Sequence, residues 1–572
     1  MEVLRVSLCQ INCKVGDLEY NFQKICSFIE KSLSLGAKVV CFPELSIIGY
    51  PPEDIVFYPH FLEKQYFYLE SLKNYSREAI IIVGFVNLED NLYNSAAIIA
   101  NGNLFIYNKI NLPNYSVFDE DRYFKNGIKP LILQSLDNIK LGITICEDIW
   151  YPTEPLLSLA RNSVDIIFNI SASPYHYLKP KIRENIFKSR AVDYSTFVAF
   201  CNLVGGQDEL VFDGNSCVVN NYGETISRAP CFEEYLLTVD ITREQLKIAK
   251  LSPILKKIPP SYLSPEIHKL DLKLLQTRNE LKTEIFEFPN EEEEIFKACV
   301  LGTKDYAIKN NFNKVIIGMS GGIDSSLVTC IAKEALGKDK VLGLSMPSMF
   351  SSSHSVEDAQ KLASNLQIDF KIIKITSIYD CFIKSFEEIY NYLGNTDFTV
   401  AEENLQARIR GNILMTLSNK FGYLLLSCGN KSEISMGYST LYGDLAGGFA
   451  PIKDLYKTQV YKIAKWYNQI HKVIPQRVFE KPPSAELRPN QKDQDTLPPY
   501  EILDKIIKMY VEKNYSPNYI SEKLGLDIKY LEEILRTLEN AEYKRRQSPP
   551  GIKLTPKSFG KDRRFPITKK IF

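Results

Sequence analysis

Charge of either sign is not in excess in this chain of 572 residues: Lys and Arg number 69, and Asp and Glu also number 69. A dedicated nucleic-acid or anionic-membrane binder carries a broad basic field, so that class is excluded. Long apolar runs are missing as well. None reaches the ~18 residues a membrane helix needs, and Ala79–Val86, among the longest, reads as a buried strand. The opening MEVLRVSLCQINCKVG lacks the basic start and apolar core of a secretory signal. Twelve cysteines show neither the regular spacing of a disulfide framework nor a paired CxxC zinc pattern. Reduced thiols in a cytoplasmic protein are therefore expected. Internal repeats and low-complexity tracts are absent. An apolar fraction of 45% and a charged fraction of 24% exclude general disorder, and the length admits two large domains.

What is present is alternation of strand and helix signals. Val3–Leu8, Val39–Phe42, Ile80–Val83, Ile98–Ala100, Leu141–Ile145 and Asp165–Ile170 read as buried strands. Between the first two lies a helical stripe, Phe22, Ile25, Phe28, Ile29 and Leu33, with Asn21 as N-cap and Gly36 as stop. The pattern predicts an α/β layered domain over residues 1–265. A charged stretch with Pro253, Pro259, Pro260 and Pro265 lacks strand patterning and reads as a connector, with residues 266–290 as the linker. Asn290 should cap a helix whose first turn holds Glu291–Glu294. A second α/β domain over 291–572 follows. Its strands are Val315–Ile317, Val341–Leu344, Lys371–Ile375 and Tyr423–Leu426, its first crossover helix is Ser325–Leu336 closed by Gly337, and its last third is mostly helical. Asn518–Arg536 has the outline of a DNA-binding helix pair, but at zero net charge a packed helical hairpin explains it.

Three strand ends in the first domain carry reactive side chains. Glu44 follows VVCFP, Lys109 lies in FIYNKINLP and Cys146 ends LGITIC. Polar residues just past buried strands sit at a sheet rim, where α/β enzymes place their sites. A thiol needs a base to attack an amide at neutral pH. Glu44 can take its proton and return it to departing ammonia, while Lys109 and a backbone N–H beside Cys146 offset the oxyanion. Each residue alone is weak, because a buried cysteine is usually an inert core thiol. Together, in this order and with these flanks, they resemble the nitrilase-type amidases, a family with an αββα sandwich fold and a Glu-Lys-Cys triad. PELSIIGYPPED, KINLPNYSVFDEDRYF and CEDIWYP further resemble the glutaminase branch that feeds ammonia to NAD synthetases. That resemblance implies a glutamine pocket of Tyr50, Tyr115, Glu147, Trp150, Ser173 and Lys179, with Glu120 as a second glutamate beside the triad. Tyr50 and Tyr115 could otherwise be rim aromatics; each stands six residues past its triad member.

In KVIIGMSGGIDSSLVTCIAKEALG a strand runs through Gly318 into Ser320, Gly321, Gly322, Ile323, Asp324, Ser325 and Ser326, then into a helix. Glycines let backbone N–H groups turn inward and the helix N-terminus adds positive charge, which together hold phosphate. Hydroxyls of Ser320, Ser325 and Ser326 add donors, and Asp324 can hold Mg²⁺. No Lys follows the second Gly, so this is not a Walker A loop. The SGGIDS form resembles the ATP pyrophosphatases, which break the α–β bond of ATP and adenylylate a substrate; their fold is a Rossmann-like parallel α/β sheet. AEENLQARIRGNIL, LLLSCGNKSEISMGYSTLYGD, KPPSAELRPNQKDQDTLPPY and EYKRRQSPPG then resemble the NAD synthetase branch. By that resemblance Asn404, Glu433 and Lys544 meet deamido-NAD⁺, Asp324 and Glu433 meet the metal, and Lys457 meets ATP phosphate. Arg408 and Arg410 are candidates for substrate phosphates, or else helix-surface charges. Position 428 is Cys where the family commonly has Thr, so an ATP contact there would be made without a hydroxyl.

The resemblance implies an ATP- and Mg²⁺-dependent ligase of small-molecule substrates that amidates deamido-NAD⁺ with ammonia from glutamine, working as a homo-oligomer. An alternative is the same glutaminase serving another acceptor, such as a tRNA base; balanced charge and the lack of a basic aromatic tract count against RNA. A catalytically dead binding protein is the third reading, and the retained Cys146, Glu44, Lys109 and SGGIDSS loop count against it.

Overall fold

The computed structural model of the protein describes residues 1–279, 281–395 and 397–571. The chain divides into two compact units: Met1–Gln207 with Val211–Phe288, and Pro289–Phe572 with Asp208–Leu210. Among the described residues no helix is long and apolar enough to cross a membrane.

The first unit rests on strands whose apolar residues run nearly unbroken, such as IIIVGFVNL in Ile80–Leu88, and such runs need cover on both faces. Two seven-stranded sheets meet that need. One runs, in spatial order, Tyr235–Thr242, Glu2–Gln10, Val39–Cys41, Ile80–Leu88, Leu92–Ala100 and Asn103–Asn108, with Leu275–Thr277 also paired to the second strand. The other runs Thr225–Arg228, Cys217–Val219, Phe197–Asn202, Ile166–Ser171, Lys140–Ile145, Leu131–Gln134 and Glu266–Lys269. Alternate residues of the two sheets share one core, where Leu4, Val6 and Leu8 belong with Ile143, Ile145 and Phe168. The residues between them, Ile167, Val198 and Phe200, pack with Phe187 and Leu159 of helices on the far side. Helices Leu18–Ser34 and Pro59–Ser71 pack with the first sheet, completing αββα layers.

Two local readings change. The cap of the first helix is Asp17, which accepts from Tyr20 N at 3.2 Å. Asn21 is buried in the helix instead, where its side chain bonds Lys14 and Ile47. Part of the segment read as a linker, residues 266–290, forms strands: Glu266–Lys269 pairs in parallel with Leu131–Gln134, and Leu275–Thr277 pairs with Glu2–Leu4. Both are short and partly exposed, so backbone pairing holds them without the apolar pattern that marks an inner strand.

The second unit holds a four-stranded parallel sheet in the order Asp369–Ile372, Val341–Ser345, Val315–Gly318, Leu424–Leu426. The edge strand begins two residues before the expected Lys371–Ile375. Helix Val400–Phe421 packs Ile409 and Leu414 against Ile316, Leu344 and Leu425. Asn290 caps Glu291–Lys309 as expected, accepting from Glu293 N at 2.9 Å. The helices Pro517–Leu524 and Ile528–Asn540 bury Ile520, Leu531, Leu535 and Leu538 with Leu503 and Ile507. That shared core is the packed hairpin reading of Asn518–Arg536.

Candidate active sites

In the first unit, Glu44, Lys109 and Cys146 all stand just past strand C-termini, those of Val39–Cys41, Asn103–Asn108 and Lys140–Ile145. Lys109 Nζ donates to Glu44 Oε1 at 2.7 Å and to both oxygens of Glu120 at 3.0 and 2.9 Å. All three side chains are buried. Burial alone would drain charge from Lys109, but Glu120 and Glu44 hold its ammonium well above the usual lysine range. Burial pushes Glu120 up to about 7 against the pull of Lys109, with the Glu44 charge adding to the rise. Cys146 is buried and has φ of 41°, a left-handed conformation that non-glycine residues keep only when their surroundings fix it. Burial, and after it the charge of Glu44, push its thiol well up, while Lys109 pulls the other way. Cys146 thus rests as a thiol, and any attack by it would have to be coupled to proton transfer.

Of the implied glutamine-pocket residues, Tyr50 and the backbone beside Ser173 bond this cluster, and the others contact Glu147 or neighbouring rings. Tyr50 OH donates to Glu120 at 2.9 Å. The N–H of Ala172, next to Ser173, donates to Glu44 Oε2 at 2.8 Å, and Ser173 N is held by Asn202 Oδ1 at 3.0 Å. Tyr115, half exposed, donates to Glu147 Oε1 at 2.9 Å. Lys179 lies over the rings of Phe118 and Trp150, at 5.8 and 5.9 Å. Sequence reasoning missed Asn94, whose amide donates to Glu44 at 2.8 Å and to Glu120 at 3.4 Å. A fully buried Asn in the apolar run of Leu92–Ala100 was the available signal.

The Glu120 environment has a testable consequence. As pH falls through about 7, Glu120 takes a proton and Lys109 is left to lean on Glu44 alone. With Glu120 neutral the balance of charge around Lys109 changes, so glutamine hydrolysis is expected to weaken on the acid side. In Glu120→Gln that limb should flatten, at a lower plateau. A pH–rate profile of glutamine hydrolysis that is identical in the two proteins would remove Glu120 from the cluster's titration, which belongs to the group as a whole.

In the second unit the strand Val315–Gly318 turns sharply into helix Ile323–Leu336. Gly321 takes φ of +75°, and a Cβ there would lie 2.2 Å from Ser355 O, so only glycine fits. Ser320 Oγ accepts from Gly322 N at 3.2 Å and lies 3.1 Å from Ser325 Oγ. This turn borders a cavity of about 1060 Å³, whose wall includes Gly318, Ser320, Gly321, Gly322, Ile323, Asp324 and Ser325. Asn404, Cys428, Glu433, Lys457 and Lys544 line it as well. Two implied residues do not. Ser326 Oγ donates back to Gly322 O at 2.8 Å within the first helical turn. Arg408 lies outside the wall and donates to Leu441 O at 3.3 Å, whereas Arg410 lines the cavity. A helix advances about 100° per residue, which turns position 408 away from the face carrying Ala407, Arg410 and Gly411.

At one end of the cavity Lys457 Nζ joins two carboxylates, Asp324 at 2.5 Å and Glu433 at 2.9 Å. Asn430, also missed, holds Asp324 from the other side at 2.8 Å and caps the helix that carries Glu433. Burial pushes Glu433 up to about 7 despite Lys457, and the two carboxylates keep Lys457 charged against burial. Asn404 accepts from Thr440 Oγ1 at 2.6 Å, and Lys544 donates to Gly437 O and Ser439 O at 2.7 and 2.6 Å. Burial raises the Cys428 thiol, which keeps it neutral. Two hard carboxylates beside a phosphate-binding turn fit Mg²⁺, which usually takes one or two carboxylates and completes its shell with phosphate oxygens and water. Among the described residues no larger cluster of metal-binding side chains occurs.

The carbon-nitrogen hydrolase family model matches residues 5–250 and the NAD synthase model matches residues 295–548. The glutamine-dependent NAD(+) synthetase of Aquifex aeolicus is 48% identical over the whole of both chains. That of Thermotoga maritima is 45% identical over all of this chain and 99% of its own. A solved structure of the Acinetobacter baumannii glutamine-dependent NAD+ synthetase with ADP is 37% identical, covering 99% of this chain and 98% of that one at a TM-score of 0.73. The Cytophaga hutchinsonii protein, 19% identical over 99% and 98%, shares the fold at a TM-score of 0.80.

Proposed function

The chain belongs to the glutamine-dependent NAD(+) synthetases, and from that premise we propose that it makes NAD⁺ from deamido-NAD⁺ in two coupled chemistries. In the first unit Cys146 Sγ attacks the side-chain amide carbon of glutamine while Glu44 takes the thiol proton. Lys109 stabilises the oxyanion. The tetrahedral adduct collapses, Glu44 returns the proton to the leaving nitrogen, and ammonia departs. Water then attacks the thioester with Glu44 as base, releasing glutamate and restoring the thiol. Tyr115, Glu147, Trp150, Ser173 and Lys179 orient the amino acid.

In the second unit the nicotinate carboxylate of deamido-NAD⁺ attacks the α-phosphorus of ATP, the α–β bond breaks and pyrophosphate leaves. Ammonia then displaces AMP from the acyl carbon. The Gly321 turn and Lys457 would hold the phosphates, Asp324 and Glu433 would hold Mg²⁺, and Asn404 and Lys544 would meet the dinucleotide. When bound, Mg²⁺ supplies charge neutralisation on the triphosphate. The ADP in the Acinetobacter baumannii relative supports nucleotide binding by this chain.

The observation that carries the reading is the buried Glu44–Lys109–Glu120 cluster beside a strained Cys146, in one chain with the Asp324–Lys457–Glu433 cluster. Product analysis tests it. ATP, deamido-NAD⁺ and glutamine should yield NAD⁺, AMP, pyrophosphate and glutamate in equal amounts, and formation of ADP in place of AMP would overturn it.

All twelve cysteines are free, which suits the reducing cytoplasm. Helix Thr376–Leu393 exposes Ile378, Phe382, Ile389 and Leu393, an apolar stripe that supports homo-oligomer formation. Sedimentation of Leu393→Asp should show a weakened assembly; a monomeric parent protein would remove this part.

A further inference from the structure

Asp148 lies two residues past the nucleophile and is fully buried. Its two oxygens accept four hydrogen bonds. Oδ1 takes Asn111 N at 2.8 Å and Ile110 N at 3.2 Å, the two amides after Lys109. Oδ2 takes Ile145 N at 2.9 Å, the amide before Cys146, and Tyr107 OH at 2.8 Å. Tyr107 lies in the edge strand of one sheet with Lys109 just past its end, and Ile145 ends a strand of the other. An ordinary turn cap would explain only the bond to Ile145 N. The other three bonds reach across to the lysine-bearing strand and the residues that follow it.

We propose that Asp148 is a positioning residue that sets the placement of Lys109 against Cys146, acting as a strut between the two sheets. The proposal rests on the reading of Cys146 and Lys109 as nucleophile and oxyanion partner. The physical need is plain. Cys146 sits in a left-handed backbone conformation that must be held from outside. Lys109 Nζ, in turn, has to reach an oxyanion that exists only once Sγ has attacked. A misplacement of about 1 Å between such groups can cost ~10²-fold in rate. A carboxylate suits the task because it is acceptor-only, and all four groups facing it are donors. Burial pushes Asp148 up to about 6, with the backbone amides, Tyr107 and Lys109 opposing, so the carboxylate form is the one these contacts favour.

Asp148→Asn tests the strut with almost no change of shape. One oxygen becomes an NH₂, which cannot accept. If the remaining oxygen serves Ile110 N and Asn111 N, the NH₂ can still donate to Tyr107 OH, but Ile145 N loses its partner. The expected result is a loss of roughly 10- to 100-fold in kcat for glutamine hydrolysis with KM little changed, since the groups that orient glutamine are untouched. Alkylation of Cys146 by iodoacetamide should slow, and NAD⁺ synthesis from ammonium should stay at the parent level. Asp148→Glu keeps the charge on a longer arm and should not restore kcat.

Parent-level kcat in Asp148→Asn would overturn the proposal. So would equal losses of the glutamine- and ammonium-driven reactions in a folded variant. If Asp148→Asn does not fold, Tyr107→Phe decides. It removes a single bond to Oδ2, and kcat should drop a few-fold at constant KM, whereas no drop defeats the strut. Cys146→Ala separates this from the underlying reading: glutamine activity surviving there would fail the nucleophile, not Asp148 alone.

Discussion

Cys146→Ala is expected to abolish NAD⁺ synthesis from glutamine and leave synthesis from ammonium salts intact. In the proposed scheme the thioester forms on Sγ, which alanine lacks. In the same scheme, adenylylation and displacement of AMP need only the second unit's groups, centred on the Asp324, Lys457 and Glu433 cluster. Lys109→Ala should show the same division with a trace of activity left, because one lost oxyanion donor typically costs ~10²–10³-fold. A core-thiol reading predicts something else: the small cavity left by the missing sulfur would lower both activities together through stability. Parallel loss in a protein with unchanged circular dichroism defeats the two-site assignment, and retained glutamine activity defeats the nucleophile.

Asp324→Asn should do the converse. Its carboxylate is held between Asn430 Nδ2 and Lys457 Nζ, at the mouth of the Gly321 turn. The substitution keeps the shape and removes the charge, so Lys457 is balanced by Glu433 alone and the proposed Mg²⁺ site would lose one of its two carboxylates. Synthesis should fall by ~10²-fold or more from either nitrogen source, by analogy with the loss of one preorganised charged contact. Glutamine hydrolysis should persist at least in part. If Asp324 merely capped its helix, Asn would serve nearly as well and activity would hardly change. Pyrophosphate release measured with saturating ammonium distinguishes the two outcomes.

Much of both sites was legible before folding was considered, because the signals are local. Glu44, Lys109 and Cys146 each follow a short apolar run, and a polar residue there is bound for a sheet rim whatever the neighbouring strands are. The SGGIDSS turn is legible for the same reason: strand, glycines and helix lie in one continuous stretch. The Asn290 cap and its acidic first turn are equally local.

Tertiary structure alone decided the rest. Lys457 meets Asp324 across 133 residues and Asn94 meets Glu44 across 50, and such pairings leave no periodicity in the chain. The four donors around Asp148 come from a strand of each sheet of the first unit and from the loop after Lys109, so no one segment by itself announces them. Arg408 and Arg410 are indistinguishable as sequence; only the rotation of helix Val400–Phe421 against the sheet turns 410 to the cavity and 408 away. Glu266–Lys269 and Leu275–Thr277 became strands through backbone bonds to partners more than a hundred residues earlier. The sequence by itself determined which chemistry each strand end and turn could carry, because side-chain type and local periodicity are properties of a segment. Which of those groups touch, and which carry charge, was decided by packing, because burial and long-range pairing exist only once the sheets have closed over them.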